Sequence, residues 1–170
     1  VALDKDENTV ARLTREDGME TKKAYKSFRY KTDLVWKSPH RGAMGAAGKP
    51  DIAVGSPPEF RGFADNWSPE DLFVGALNTC LMLTFFALAQ SQGVAPVAYQ
   101  SSAEGLLENV EGKYCITEVT VTPTVVLKSE ADLTIARQLM QEKVEPNCFI
   151  TNSISAKVKL APEFRVEGAA

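Results

Sequence analysis

The order of hydrophobic patterns predicts an α+β fold: an antiparallel sheet, one central helix buried on every side, and a second helix that breaks. Three observations carry this. Between residues 72 and 89 no side chain is charged and the apolar ones run all the way round, as in a helix with no wet face. Runs at 24–36, 97–107, 113–127 and 156–160 have the character of strands. A third, amphipathic run opened by Ser129 is interrupted by Pro146. Strands and helices do not alternate one for one, which argues against a parallel α/β sheet.

With 170 residues, 44% hydrophobic and 24% charged, the chain has a globular composition and enough length for one domain, 1–170, with a sizeable core. The net charge of −3, with lysines and arginines scattered among the acids, offers no basic patch for nucleic acid or an anionic membrane. The N-terminal residues VALDKDENTV carry acids where a secretory leader has a basic end and an apolar run, so a cytoplasmic location is expected. The uncharged run approaches the length of a membrane span. Its acidic start at Glu70 and Asp71, its lack of flanking lysine or arginine, and its internal Gly75, Asn78 and Thr79 fit a buried core helix instead.

Residues 1–20 are charged and weakly patterned, an N-terminal extension with at most a short edge strand at 10–14. In 24–36, Ala24, Phe28, Tyr30, Leu34 and Trp36 share one parity while Arg29, Lys31 and Asp33 share the other, which describes a strand with one wet face. Segment 38–58 is rich in Gly, Pro and Ala and reads as a long loop, of a length that often carries function, with a short strand at 51–54. Ser68 then supplies an N-cap, Pro69 suits the first helical position and Asp71 completes a capping box, so the central helix starts there. Gly93 and Pro96 stop it.

The runs 97–107 and 113–127 form a strand pair joined around ENVEG. Cys115, Val119, Val121, Val125 and Leu127 share one parity, which places Cys115 inward as a small core hydrophobe. Ser129 caps the second helix, with Glu130 and Asp132 in its first turn and Leu133, Ala136, Leu139, Met140 and Val144 as its apolar stripe. Pro146 ends or kinks it near Glu145, and a short helix opened by Asn147-Cys148 is expected to run through FITNSIS. A helix apolar all round is more than one small domain covers, so a homodimer packing helix against helix is expected.

Candidate chemistry narrows to the cysteines. Gly48-Lys49 fails as a phosphate loop, because Ala43 stands where the first glycine belongs and Pro50 follows the lysine. The single histidine, His40, has no clustered acids around it, so it reads as an exposed loop residue, with no metal site, Ser-His dyad or cofactor expected. Three cysteines in a cytoplasmic-looking chain argue against a disulfide framework and leave redox, catalytic or merely buried thiols. Cys80 and Cys148 both fall on helical segments, and Cys148 follows a break where free backbone N–H groups would stabilise a thiolate. On composition alone, buried structural thiols are the better reading of both.

WSPEDLFVGALNTC, followed much later by NCFITNSI, resembles the OsmC/Ohr family, the osmotically inducible and organic hydroperoxide resistance proteins. The likeness rests on the S-P-E-D-L helix start, the cysteine further along the same helix and the second cysteine in a C-x-I-T context, and it spans nearly the whole domain. It implies an OsmC-like fold in an intertwined homodimer with sites at the subunit interface, acting as a thiol peroxidase. On that resemblance Cys80 is the peroxidatic cysteine and Cys148 the resolving one. Cys80 would reduce an organic hydroperoxide and become a sulfenic acid, Cys148 would condense with it to a disulfide, and an external dithiol, a lipoylated protein in some members, would reduce the disulfide. The apolar helix would line the pocket for the peroxide's organic tail.

Burial alone raises a thiol's pKa, so the family couples the cysteine to an arginine oriented by a glutamate. Glu70 matches that glutamate, and Arg61 fits the arginine just upstream of the helix, with Arg41 and Arg29 as other candidates. Glu70 and Cys80 would stand about 15 Å apart along a straight helix. An extended arginine, a helix break or a second subunit must then close the gap. Phe149 stands where many members have proline, and the long Gly/Ala loop departs from the compact Ohr branch, so the chain resembles an OsmC-like side branch. The alternative is a non-catalytic binding protein for a hydrophobic small molecule on the same dimeric scaffold, because the fold needs only hydrophobes where the chemistry needs thiols.

Overall fold

The computed structural model describes residues 26–168. By internal contacts the chain separates into Val1–Lys31 and Thr32–Ala170, and every element below belongs to the second unit. The edge strand expected at 10–14 lies outside the described residues, as do the first two positions of the strand expected at 24–36.

Strand β1 (Asp33–Ser38) pairs antiparallel with β2 (Arg41–Gly45), which pairs antiparallel with β3 (Ile52–Gly55). β1 starts later than the alternation predicts, and β2 lies inside the stretch expected to be loop. The sequence RGAMG has little strand preference of its own; its glycines serve close approach. A Cβ on Gly42 would stand 3.2 Å from the carbonyl oxygen of Val35 on β1. Gly48, at φ 74°, sits in the turn between β2 and β3, which the Lys49 N–H closes by donating to the Ala46 carbonyl at 3.0 Å. β3 then fixes the start of the central helix through Trp67. The Gly55 N–H donates to the Trp67 carbonyl, and the Trp67 N–H to the Ala53 carbonyl, both at 3.0 Å.

Helix α1 (Pro69–Ser91) begins with the expected capping box: the Asp71 N–H donates to Ser68 Oγ at 3.0 Å and the Ser68 N–H to Asp71 Oδ2 at 2.9 Å. It is not buried on every side. Leu77, Leu81, Phe85 and Ala89, one turn apart, are buried, whereas Ala76, Thr79, Leu83 and Ala87 on the other side are exposed. Among the described residues, a sheet and a second helix cover one face of α1 and the other stays largely open. By length and composition α1 could also cross a membrane, a test that core helices pass too.

Strands β4 (Ala98–Val110) and β5 (Lys113–Leu127) form a long antiparallel hairpin. Helix α2 (Glu130–Leu139) follows, capped by Ser129 Oγ, which accepts from the Asp132 N–H at 3.1 Å. β6 (Lys157–Leu160) and β7 (Glu163–Val166) both pair with β5 in parallel. The fold is α+β, but this sheet is mixed, because α2 carries the chain back before β6 enters in the direction of β5.

A bulge changes the reading of β5. Leu106 pairs with Glu118 and Leu107 with Ile116, so Thr117 is the extra residue. After the bulge Val119, Val121, Val125 and Leu127 are buried, as their parity predicts. Before it the faces exchange: Ile116 packs on the core and Cys115 is exposed, so Cys115 is not a core residue.

The break after α2 begins before its proline. A π turn spans Met140–Val144 and a last α turn spans Glu145–Asn147. Pro146 has no N–H to donate and its ring crowds the carbonyl a turn earlier, which the wider turn relieves. The buried face of α1, the inner face of β5, and Ala136, Met140, Val144 and Cys148 from the broken helix make one core. Burying Phe85 and Leu77, both with no exposed surface, stabilises this packing by roughly 1.5–3 kcal/mol each.

Candidate active site

Cys80 lies on α1 between the buried and open faces and is half-buried. Cys148 has no exposed surface and comes from the end of the broken helix. Contrary to expectation it does not start a new helix. Its backbone is extended (φ −79°, ψ 118°), and a 3-10 turn follows only at Thr151–Ser153. The segment is tied down by asparagines: Asn147 Nδ2 donates to the Lys143 carbonyl at 2.8 Å and Asn152 Nδ2 to the Pro146 carbonyl at 3.0 Å.

The surroundings of the two thiols, each of which shifts the other's ionisation, separate their roles. Burial pushes the Cys80 thiol up, but the Cys148 thiol, the N–H groups of Ile150 and Phe149, and the Thr84 hydroxyl all donate to its sulfur and together hold it below the ordinary thiol range. For Cys148, burial and then the hydrogen bond to Cys80 push the thiol up; the Thr151 side chain and its N–H, 3.4 Å from Sγ, offset this only in part. Of the two, Cys80 is the thiol that gives up its proton more readily. The free N–H groups expected to serve Cys148 thus mainly serve its neighbour.

Cys80 opens into a groove of about 940 Å³ along the open face of α1. Leu72, Leu83 and Ala87 of the helix, Ile52 of β3, Trp67 and Phe149 give it an apolar wall, and among the described residues Asp71 is the one charged residue on its lining. Leu83 is 58% exposed and Phe149 82%.

The remaining expected residues do not gather at the sulfur. Glu70 stands in the first turn of α1, its Oε2 buried without a hydrogen-bond partner. Arg61 is exposed in a left-handed conformation (φ 63°), with no side-chain hydrogen bond or ion pair among the described residues. Arg41 lies 3.1 Å from Asp65 and stacks 4.0 Å over the Phe63 ring. It also shares a cavity of about 760 Å³ with Glu70. Arg29 belongs to the Val1–Lys31 unit. His40 is an exposed turn residue whose Nδ1 lies 3.3 Å from Ser56 Oγ. Among the described residues no three His, Cys, Asp or Glu side chains cluster closely enough to hold a metal.

Residues 62–163 match the family described as OsmC-like protein. The chain belongs to the OsmC-like family. A similar sequence is the uncharacterized protein YmaD of Bacillus subtilis, 28% identical over 118 residues, covering 68% of this chain and 78% of that one. Among solved structures, an OsmC-like protein of unknown function from Vibrio cholerae has a TM-score of 0.73 and 25% identity, covering 80% of this chain and 99% of that one. The organic hydroperoxide resistance protein OhrB of Bacillus subtilis has a TM-score of 0.59 at 18% identity, with 81% and 98% covered, a likeness of fold. Within this OsmC-like chain, the donors from Thr84, Phe149 and Ile150 had escaped the sequence reading. A hydroxyl one turn after Cys80 in an otherwise apolar run was the available signal; the two amides had none.

Proposed function

We propose that the chain is a thiol peroxidase that reduces organic hydroperoxides, with Cys80 as the peroxidatic and Cys148 as the resolving cysteine. The observation that carries this is Cys80 on the wall of an apolar groove, its thiol lowered by neighbouring donors while that of the buried Cys148 is raised. The Cys80 thiolate attacks the distal oxygen of the hydroperoxide and the O–O bond breaks. The organic alkoxide leaves and takes up a proton as alcohol, and Cys80 becomes a sulfenic acid. Cys148 then attacks that sulfur, water leaves and a disulfide forms, which an external dithiol, of the class of a lipoylated protein, reduces.

The groove suits an apolar organic group, and among the described residues its lining offers no cation to hold a charged substrate. The working form is an intertwined homodimer in the cytoplasm. Its support is the uncovered apolar surface: Leu34 and Trp36 of β1 are 69% and 73% exposed, and Leu83 lies on the open face of α1. Glu70 orients an arginine toward the thiol. Arg41 has more support than Arg61, because it shares a cavity with Glu70, whose buried Oε2 lacks a partner.

One equivalent of cumene hydroperoxide added to reduced protein should remove two thiols and give a Cys80–Cys148 disulfide in peptide mapping. Peroxide that leaves both thiols free contradicts the proposal.

A further inference from the structure

Cys148 stands between two turns, and one residue bonds to the chain on both sides of its Cα. The Asn152 N–H donates to the Cys148 carbonyl at 3.1 Å, and Asn152 Nδ2 donates to the Pro146 carbonyl at 3.0 Å. Together they close residues 146–152 into a ring around an extended cysteine (φ −79°, ψ 118°). The helix ends at Cys148, so the Pro146 carbonyl has no helical N–H to accept from, and the Asn152 side chain supplies the missing donor. Inside the ring the Thr151 N–H lies 3.4 Å from Cys148 Sγ. The sulfur thus caps the turn at Thr151–Ser153 as Ser129 Oγ caps α2 through the Asp132 N–H. The Cys148 N–H is engaged as well, donating to the Glu145 carbonyl at 3.1 Å. Asn147 and Phe149, on either side of Cys148, line the groove together with Cys80, and Cys80 packs against the core cluster that contains Cys148.

We propose that Asn152 is a positioning residue for disulfide formation, bridging the Pro146 and Cys148 carbonyls so that the Cys148 thiol is held ready beside Cys80. This rests on Cys80 and Cys148 being the redox pair. A thiol fixed next to its partner acts at a high effective concentration, because little freedom is lost when the bond forms. Without the bridge the segment gains conformations in which the two sulfurs do not meet.

The test is equilibration of the full chain with mixtures of reduced and oxidised glutathione, in the wild type, Asn152→Ala, Asn152→Asp and Thr134→Ala. In that exchange the Cys80 thiolate attacks glutathione disulfide and releases one glutathione thiolate. The Cys148 thiolate then displaces the second, leaving the Cys80–Cys148 disulfide and two reduced glutathiones. Differential alkylation with peptide mass spectrometry gives the fraction of disulfide in each mixture. Aspartate keeps the shape of asparagine and removes the donor. Thr134→Ala removes a bond of the same kind on α2, from the Thr134 hydroxyl to the Glu130 carbonyl at 3.0 Å. Effective concentration is read as squared reduced over oxidised glutathione at half-oxidation. The expected result is a value roughly fivefold below the wild type in both Asn152 variants and a wild-type value in Thr134→Ala. A wild-type value in the Asn152 variants overturns the assignment. So does a higher one, which would mean that the bridge holds Cys148 off Cys80, and so does an equal fall in Thr134→Ala, which would trace the effect to general loss of stability. A wild type that forms no Cys80–Cys148 disulfide in any mixture overturns it too. The exchange uses no peroxide: a wild type that forms the disulfide here but is inert to cumene hydroperoxide loses the peroxidase reading and keeps the role of Asn152.

Discussion

Cys115 and Cys80 present opposite settings for the same chemical group. Cys115 is exposed on β5, just before its bulge. Cys80 is half-buried in an apolar wall, where neighbouring polar groups hold its thiol below the ordinary range. If access governed reactivity Cys115 would be oxidised first; if stabilisation of the thiolate governs it, Cys80 is. The contrast separates exposure from activation within one molecule, and each variant below alters one side of it.

The largest effect is expected from Cys80→Ser, which should abolish peroxide consumption, whereas Cys115→Ser should consume peroxide at the wild-type rate in a coupled assay. Next, Cys148→Ser should still lose Cys80 to peroxide but form no intramolecular disulfide, so a sulfenic-acid probe should label Cys80. Removal of the proposed orienting pair comes third: Arg41→Ala and Glu70→Gln should each slow Cys80 oxidation roughly tenfold, and Arg61→Ala should not, measured as initial rates with cumene hydroperoxide. The opposite order would return the role to Arg61.

Leu83→Glu addresses what covers the groove. It places a charge on the exposed apolar face of α1, and sedimentation should show a dimer turning into monomer with Cys80 more open to bulky alkylating reagents. The smallest effect concerns pH. Cys80 is depressed in the folded chain, so its contribution to stability is present above the unfolded thiol range and lost as pH falls through its folded pKa. Cys148 is raised, so its contribution is full below the unfolded range and lost as pH rises through its folded pKa. The two act in opposite directions on global stability, and the local readout is direct: Cys80 alkylation in native protein should reach half its maximum at a lower pH than in urea-unfolded protein.

Much of the fold was legible because it rests on local chemistry. The capping box at Ser68 and Asp71, the cap at Ser129 and the alternation Val119, Val121, Val125, Leu127 are sequence-local, and the structure keeps them. What escaped depends on partners distant in sequence. β2 is a strand because its glycines fit between two neighbours, β7 because β5 offers a free edge, and Cys115 faces out because one inserted residue on β5 resets the register. For the proposed site, the family likeness singled out the cysteines and Glu70. The convergence of the Phe149 and Ile150 amides on Cys80 could not, since it follows from an extended residue after a proline-broken helix.

The most direct measurement is a competition inside one chain. Reduced wild-type protein is given substoichiometric cumene hydroperoxide and the remaining thiols are trapped and quantified by peptide. The expected result is that Cys80 is consumed first, with Cys148 following as disulfide, while exposed Cys115 stays reduced. Consumption of Cys115 as fast as Cys80 would mean that access, not the donors around the sulfur, sets reactivity, and would contradict the assignment of Cys80 as the peroxidatic thiol.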